Sequence, residues 1–197
     1  MGWATHNIYM APLFTAEQQR FLLMLARQAL AAHLGGEDVM RVPDEDPVLQ
    51  VVRGVFVTLH EGGQLRGCIG QVEAEHPLPA LVSKMAIAAA TRDPRFSPVT
   101  ADELAVLHIE LSVLSPPQAI TDLELIEVGR HGLQISYGSR RGILLPQVPK
   151  EWGWDRLEFI ENACRKAGLP AEAYRDIETE IAIFTAQVFG EPASALI

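Results

Sequence analysis

The sequence predicts an α+β fold with two lobes, in which hairpin-helix-strand units surround a mainly antiparallel sheet. Two observations predict this class. Segments with the β-branched and apolar composition of strands occur in pairs around short turns, and segments with helical period stand apart from them. The order of hairpin, helix and strand also occurs twice along the chain, offset by about 75 residues. We therefore expect one domain over residues 1–197, with approximate lobes 14–117 and 118–190.

The first half begins with a helix and continues with a hairpin. Thr15 and Gln18 have the spacing of a capping box, and apolar residues then recur at helical intervals until Gly35. The apolar run 54–60 predicts a strand, and a turn at Gly62 leads into a second strand over residues 65–70.

A second helix and a third strand complete this half. Leu78, Leu81, Val82 and Met85 follow helical period within residues 77–91, and Pro94 ends the helix. Another capping-box spacing over residues 100–103 precedes a predicted strand over residues 107–114.

The second half repeats this order. Residues 132–137 and 141–145 predict a hairpin, residues 155–167 a helix, and residues 181–189 a strand. The offset of about 75 residues aligns Gly142 with Gly67, and it aligns residues 182–189 with residues 107–114.

Composition excludes several classes of protein. The chain has 48% hydrophobic and 21% charged residues and a formal net charge of −9, so the basic surface of a nucleic-acid-binding protein is not expected. The six histidines lack the spacing of a local metal site, and we expect none. No apolar run is long enough to cross a bilayer, and the N-terminal residues do not have the pattern of a secretory signal, which predicts a cytoplasmic protein. The two cysteines are expected to be free thiols.

The segment Leu65-Arg66-Gly67-Cys68-Ile69-Gly70 is the main candidate for a functional site. In a strand, Arg66 and Cys68 point to the same face, and a guanidinium beside a thiol favours the nucleophilic thiolate. Gly67 and Gly70 allow a ligand or another backbone to approach closely. Cys68 is therefore the candidate nucleophile and Arg66 its positively charged partner, with the two glycines as binding positions.

The hairpin register offers a second interpretation of Cys68. A turn centred on residues 62–63 sets Leu59 opposite Arg66 and Val57 opposite Cys68, so the thiol would be a buried apolar group. Arg66 on the same face would then need a carboxylate, a ligand or a cluster of carbonyl groups. Because both faces of this hairpin carry apolar residues, the sheet is expected to be covered on both sides or closed into a barrel.

Two further candidates lie outside this segment. Asp93, Arg95 and Phe96 belong to a rigid loop after the second helix, which is either a binding loop or a turn held by Asp93 and an arginine. His131 is the candidate proton carrier, although a single histidine also serves structural roles. Cys164 lies on the apolar stripe of a helix and is expected in the core.

Six segments together resemble the AmmeMemoRadiSam system protein A family, the domain of the AMME syndrome chromosomal-region protein. They are residues 65–70, Asp93-Pro94-Arg95-Phe96, residues 109–116, His131-Gly132-Leu133, Gly142-Ile143-Leu144-Leu145-Pro146-Gln147-Val148, and Lys166-Ala167-Gly168-Leu169-Pro170.

The resemblance implies a two-lobed α+β fold around a curved or barrel-like sheet, and an active site at Cys68 and Arg66. It also implies association with a Memo-like protein and a radical S-adenosylmethionine protein, while it names no reaction and no cofactor. Two functions follow as expectations. One is thiol-dependent catalysis on an anionic small molecule or partner, and the other is a non-catalytic domain that docks onto one of those two proteins.

Overall fold

The computed structural model describes residues 13–35 and 47–191, and within these ranges the chain forms four α-helices and two antiparallel sheets. The helices are α1 (Ala16–Gly35), α2 (Leu78–Thr91), α3 (Val148–Trp152) and α4 (Arg156–Lys166). The strands are β1 (Val55–Glu61), β2 (Gln64–Gln71), β3 (Leu107–Leu114), β4 (Gln118–Ile120), β5 (Gly132–Tyr137), β6 (Arg140–Leu144), β7 (Glu180–Phe184) and β8 (Ala186–Gly190). The α+β class is confirmed.

The first sheet has the strand order β2-β1-β3-β8, and the second has the order β4-β7-β5-β6. In the described ranges each sheet is open and four-stranded, so the expectation of a closed barrel is wrong. In the described ranges, helices α1 and α2 cover one face of the first sheet.

The main hydrophobic core lies between the first sheet and helices α1 and α2. Alternate residues of β1, Val55, Val57 and Leu59, are fully buried, and they point towards the helices with Ile109 and Leu111 of β3. The intervening residues of β1 are half-buried, so the opposite face of this sheet is only partly covered.

A second core lies between α4 and the second sheet. It contains Leu133 and Ile135 of β5, Phe159 and Ile160 of α4, and Cys164. As expected, Cys164 is fully buried, and burial raises the pKa of its thiol. Leu157, near the start of α4, is exposed and does not contribute to this core.

The two sheets exchange their outer strands. Strand β4 follows β3 but pairs with β7 of the second sheet, and β8 follows β7 but pairs with β3 of the first. At the crossing, the Ser115 amide donates to the Thr185 carbonyl at 2.8 Å, and the Thr185 amide donates to Oγ of Ser115 at 2.9 Å. These exchanged strands join the two cores through backbone hydrogen bonds.

This crossing corrects two predictions. The expected strand over residues 181–189 is two strands that break at Thr185. The expected match of residues 182–189 with residues 107–114 is also wrong. Ile109 pairs with Leu59 in the first sheet, and Ile181 pairs with Ile135 in the corresponding position of the second sheet. Ile109 therefore corresponds to Ile181, which lies outside the expected range.

Gly67 and Gly142, which the sequence offset sets in equivalent positions, make equivalent contacts. A Cβ atom at Gly67 would lie 2.3 Å from the Ala89 carbonyl oxygen of α2, and one at Gly142 would lie 2.3 Å from the Ala167 amide nitrogen beside α4. In each half, the second hairpin strand therefore touches the backbone of its helix.

None of the helices in the described ranges is long and apolar enough to cross a membrane. The N-terminal residues on which the prediction of a cytoplasmic location depends lie outside those ranges.

Candidate functional site

A β-bulge at Arg66 decides which way Cys68 points. Leu59 pairs with Gly67 and His60 pairs with Leu65, so Arg66 is an extra residue in β2. This shifts the pairing by one residue, and Thr58, not Val57, lies opposite Cys68. The predicted pairs of Leu59 with Arg66 and of Val57 with Cys68 are therefore wrong. The side chain of Cys68 faces away from the helices and from the apolar core.

The thiol of Cys68 lies on the partly covered face of the first sheet. Its Sγ accepts a hydrogen bond of 3.4 Å from Oγ1 of Thr58, and the residue is half-buried. The arrangement thus provides a partly accessible thiol with a donor beside it.

Asp93 fixes the backbone of Cys68 from the loop after α2. Its Oδ2 accepts a hydrogen bond of 2.8 Å from the Cys68 amide, and its carboxylate also binds the Arg95 backbone amide and guanidinium. The side chain is only 2% exposed. The pKa of Asp93 lies well below its usual range, mainly because of the hydrogen bond from the Arg95 guanidinium. The amides of Cys68 and Arg95 lower this pKa further, while burial opposes the shift.

Arg95 has an electrostatic contact with Cys68. Its Nη2 lies 2.7 Å from Asp93 and donates to the Cys68 carbonyl at 3.5 Å. The hydrogen bond with Asp93 raises the pKa of Arg95, and the negative charge of a Cys68 thiolate adds a smaller contribution. Because the side chain is 54% exposed, the outer edge of its guanidinium can bind an anion.

The guanidinium of Arg66 makes its hydrogen bonds to the segment that follows α2 and not to the thiol of Cys68. Its guanidinium donates to Glu103 at 2.7 and 3.2 Å, and to the Ser97 carbonyl at 2.9 Å. The expectation that Arg66 needs a carboxylate or a carbonyl cluster is confirmed, and the charge partner is Glu103. This geometry argues against the predicted role of Arg66 as the partner of the thiolate.

The other residues of the predicted binding set have local packing roles in this structure. A Cβ atom at Gly70 would lie 2.3 Å from the ring of Phe56, which covers that glycine from the neighbouring strand. Phe96 is half-buried and lies under the Arg95 guanidinium, 5.4 Å from the ring centre. Phe96 therefore supports the orientation of Arg95.

His131 lies in the second half of the chain, immediately before β5. Its Nδ1 accepts a hydrogen bond of 3.1 Å from the Glu127 amide, and its ring also hydrogen-bonds the Leu125 backbone. Burial lowers the pKa of His131, and Glu127 partly offsets this effect. Both contacts are local, so this placement argues against His131 as the proton carrier for Cys68.

Three residues beside Cys68 were not recognised from the sequence. Thr58 lies between Cys68 and Glu110 in one row across the sheet, and His60 lies two residues further along β1 on the same face. Strand alternation would have identified this set if the bulge at Arg66 had been known.

The described part of the chain contains no group of three or more histidine, cysteine or acidic side chains arranged to hold a metal ion. The side chains around Cys68 offer a thiol, a hydroxyl, a carboxylate, an imidazole and an exposed guanidinium.

Comparison with known proteins gives one consistent result. The chain is 47% identical to a protein of Methanothermobacter thermautotrophicus over 189 residues, which cover 92% of this chain and 97% of the relative. It is 43% identical to a protein of Methanopyrus kandleri, with 92% of each chain covered. The crystal structure of an uncharacterized protein from Pyrococcus horikoshii superimposes with a TM-score of 0.82 at 41% identity, covering 91% of this chain and 94% of that one. The AMMECR1 family model matches residues 23–189, and the chain belongs to the AMMECR1 family.

Proposed function

We propose that this protein uses Cys68 as a nucleophile on an anionic small molecule that Arg95 holds. The observation that carries the proposal is the position of Cys68. It is a half-buried thiol outside the core, with the Thr58 hydroxyl on its sulfur and an exposed guanidinium on its carbonyl. Reactive cysteines are found in partly exposed surroundings of this kind, whereas structural cysteines are buried and inert.

Each neighbour of the thiol has a distinct part in this proposal. Thr58 donates to the sulfur, and Arg95 attracts the anionic group of the substrate. Asp93 is a positioning residue, because it binds both the Cys68 amide and the Arg95 guanidinium. The sulfur forms a bond to an electrophilic carbon of the substrate, a leaving group departs with its electron pair, and the thiol proton passes to solvent.

Native-state alkylation tests the reactivity of the thiol. Iodoacetamide should modify Cys68 at least tenfold faster than the fully buried Cys164 in the folded protein, and denaturant should remove the difference. Peptide mass spectrometry after timed quenching measures both rates in one sample. Equal rates in the folded protein would overturn the proposal.

Genetic complementation tests the function itself. In a host strain that lacks its own family member, Cys68→Ser should abolish complementation, while Cys164→Ala should retain it. Complementation by Cys68→Ser at normal protein levels would exclude a nucleophilic role.

An exposed aromatic pair favours a second candidate function, docking onto a Memo-like or radical S-adenosylmethionine protein. Trp152 is 69% exposed and stacks on Trp154, with ring centres 6.0 Å apart and an interplanar angle of 18°. Exposed tryptophans are frequent energetic centres of protein interfaces. Under this function, Trp152→Ala abolishes complementation and Cys68→Ser does not, so the same assay separates the two candidates.

A further inference from the structure

A groove of about 370 Å³ lies where the chain crosses between the two sheets. Thr185 and Val188 line it on the side of the crossing, and Gly129, Arg130, Gln147 and Lys150 line it from the second half of the chain. None of these residues belongs to the Cys68 site. The groove is therefore separate from that site.

Lys150 lies across the backbone of Gly129. Gly129 has a φ of +82°, and a Cβ atom there would stand 1.8 Å from Cε and 2.8 Å from Nζ of Lys150. The absence of a side chain at Gly129 thus creates the space that the Lys150 side chain occupies. Across the described ranges, no ion pair with an acidic side chain is found for Lys150.

The charge of the groove contrasts with that of the whole chain. The lining contains two cationic side chains and no acidic one, whereas the formal net charge of the protein is −9. Arg130 is paired with Glu127 at 2.8 Å, so among the described residues Lys150 is the cation of the lining that has no acidic partner. A concave cation site on an acidic protein attracts small anions.

Neutral donors complete the lining. The Thr185 amide is used by Ser115, but Thr185 and Gln147 both line the groove, and each carries a hydrogen-bond donor in its side chain. One ammonium group with hydroxyl and amide donors matches the oxygens of a carboxylate or a phosphate.

We propose that this groove binds the carboxylate or phosphate group of a small-molecule ligand, with Lys150 as the charged contact and Gln147 and Thr185 as neutral donors. This site is separate from the thiol, because none of its lining residues belongs to β2 or to the loop of Asp93 and Arg95.

Amide chemical shifts measured during titration test the proposal. Inorganic phosphate and acetate are added separately to ¹⁵N-labelled protein, and sodium chloride at matched ionic strength serves as the reference. One or both ions should produce saturable shifts at Gly129, Lys150 and Thr185, and the ion that does so identifies the ligand class. Lys150→Gln, which removes the charge but keeps the chain length, should weaken this binding at least fivefold.

Two matched variants complete the experiment. Lys166→Gln removes an exposed charge from α4 and should bind as the wild type does. Cys68→Ser should also bind normally, so a failure of the thiol proposal leaves this one standing. Absence of saturable shifts with both ions, or equal binding by Lys150→Gln and the wild type, would overturn it.

Discussion

The amide of Cys68 donates a hydrogen bond of 2.8 Å to the buried carboxylate of Asp93. Strand β2 is an edge strand, so this amide and the Cys68 carbonyl have no partner strand on that side. Asp93 binds the amide and Arg95 binds the carbonyl, and this ion pair takes the place of a neighbouring strand. The edge of the sheet is thereby held at the residue that carries the thiol.

We expect Asp93→Asn to lower the free energy of unfolding by about 1–3 kcal/mol, because it weakens charge-assisted hydrogen bonds to a buried group. Urea unfolding at neutral pH measures the change. Asp102→Asn, at an exposed position, is the control and should change stability little.

The difference between the wild type and Asp93→Asn should also depend on pH. Because the pKa of Asp93 in the folded protein lies below its ordinary value of 3.8, the unfolded chain binds the proton more tightly. The stabilisation is therefore complete above that value and declines as the pH falls towards the pKa of the folded protein. A difference that stays constant down to pH 2.5 would contradict this account.

Most element bounds could be predicted because their signals are local. The capping box of Thr100 and Glu103 is present in the structure, and Asp155 caps α4 at the residue where that helix was expected to begin. Such signals depend on residues three or four positions apart.

The environment of the thiol could not be predicted, because it depends on one extra residue and on distant contacts. The bulge at Arg66 shifts the pairing by one residue, and a shift of one residue moves a strand's side chains to the opposite face. Glu103 is 37 residues from Arg66, and Asp93 is 25 residues from Cys68. No periodicity in the sequence identifies partners at such separations.

The charge selectivity of alkylation should distinguish Arg95 from Arg66. An exposed cation near the thiol accelerates alkylation by the anionic reagent iodoacetate relative to alkylation by the neutral iodoacetamide. Arg95→Gln should lower that rate ratio at Cys68 by roughly fivefold, the factor that about 1 kcal/mol of Coulomb energy gives. Arg66→Gln should leave the ratio nearly unchanged, because the Arg66 side chain is only 14% exposed, whereas that of Arg95 is 54% exposed and contacts Cys68. The reverse order would restore Arg66 as the partner of the thiolate.

His131 should contribute to loss of stability in mild acid. Burial keeps its folded-state pKa below the ordinary value of 6.5, so the unfolded state binds the proton more tightly. The free energy of unfolding should therefore fall as the pH drops through 6.5 towards the folded-state pKa. Denaturant unfolding at pH 7.5 and 5.5 should show a smaller fall for His131→Asn than for the wild type. For His33→Asn, at an exposed position, the free energy of unfolding should fall by as much as it does for the wild type.

Gly67→Ala and Gly142→Ala should each destabilise the protein by about 1–3 kcal/mol, the usual cost of overpacking. In both variants the new methyl group meets the backbone of a helix or of the residue that follows it, 2.3 Å away, and backbone atoms cannot turn aside as a side chain can. Gly35→Ala is the matched control, because a Cβ atom there meets nothing within 4 Å, and it should be neutral or slightly stabilising. Thermal and urea unfolding of the three variants test the close contacts directly. If Gly67→Ala were as stable as Gly35→Ala, β2 would not lie against α2, and the outward direction of Cys68 would lose its structural basis.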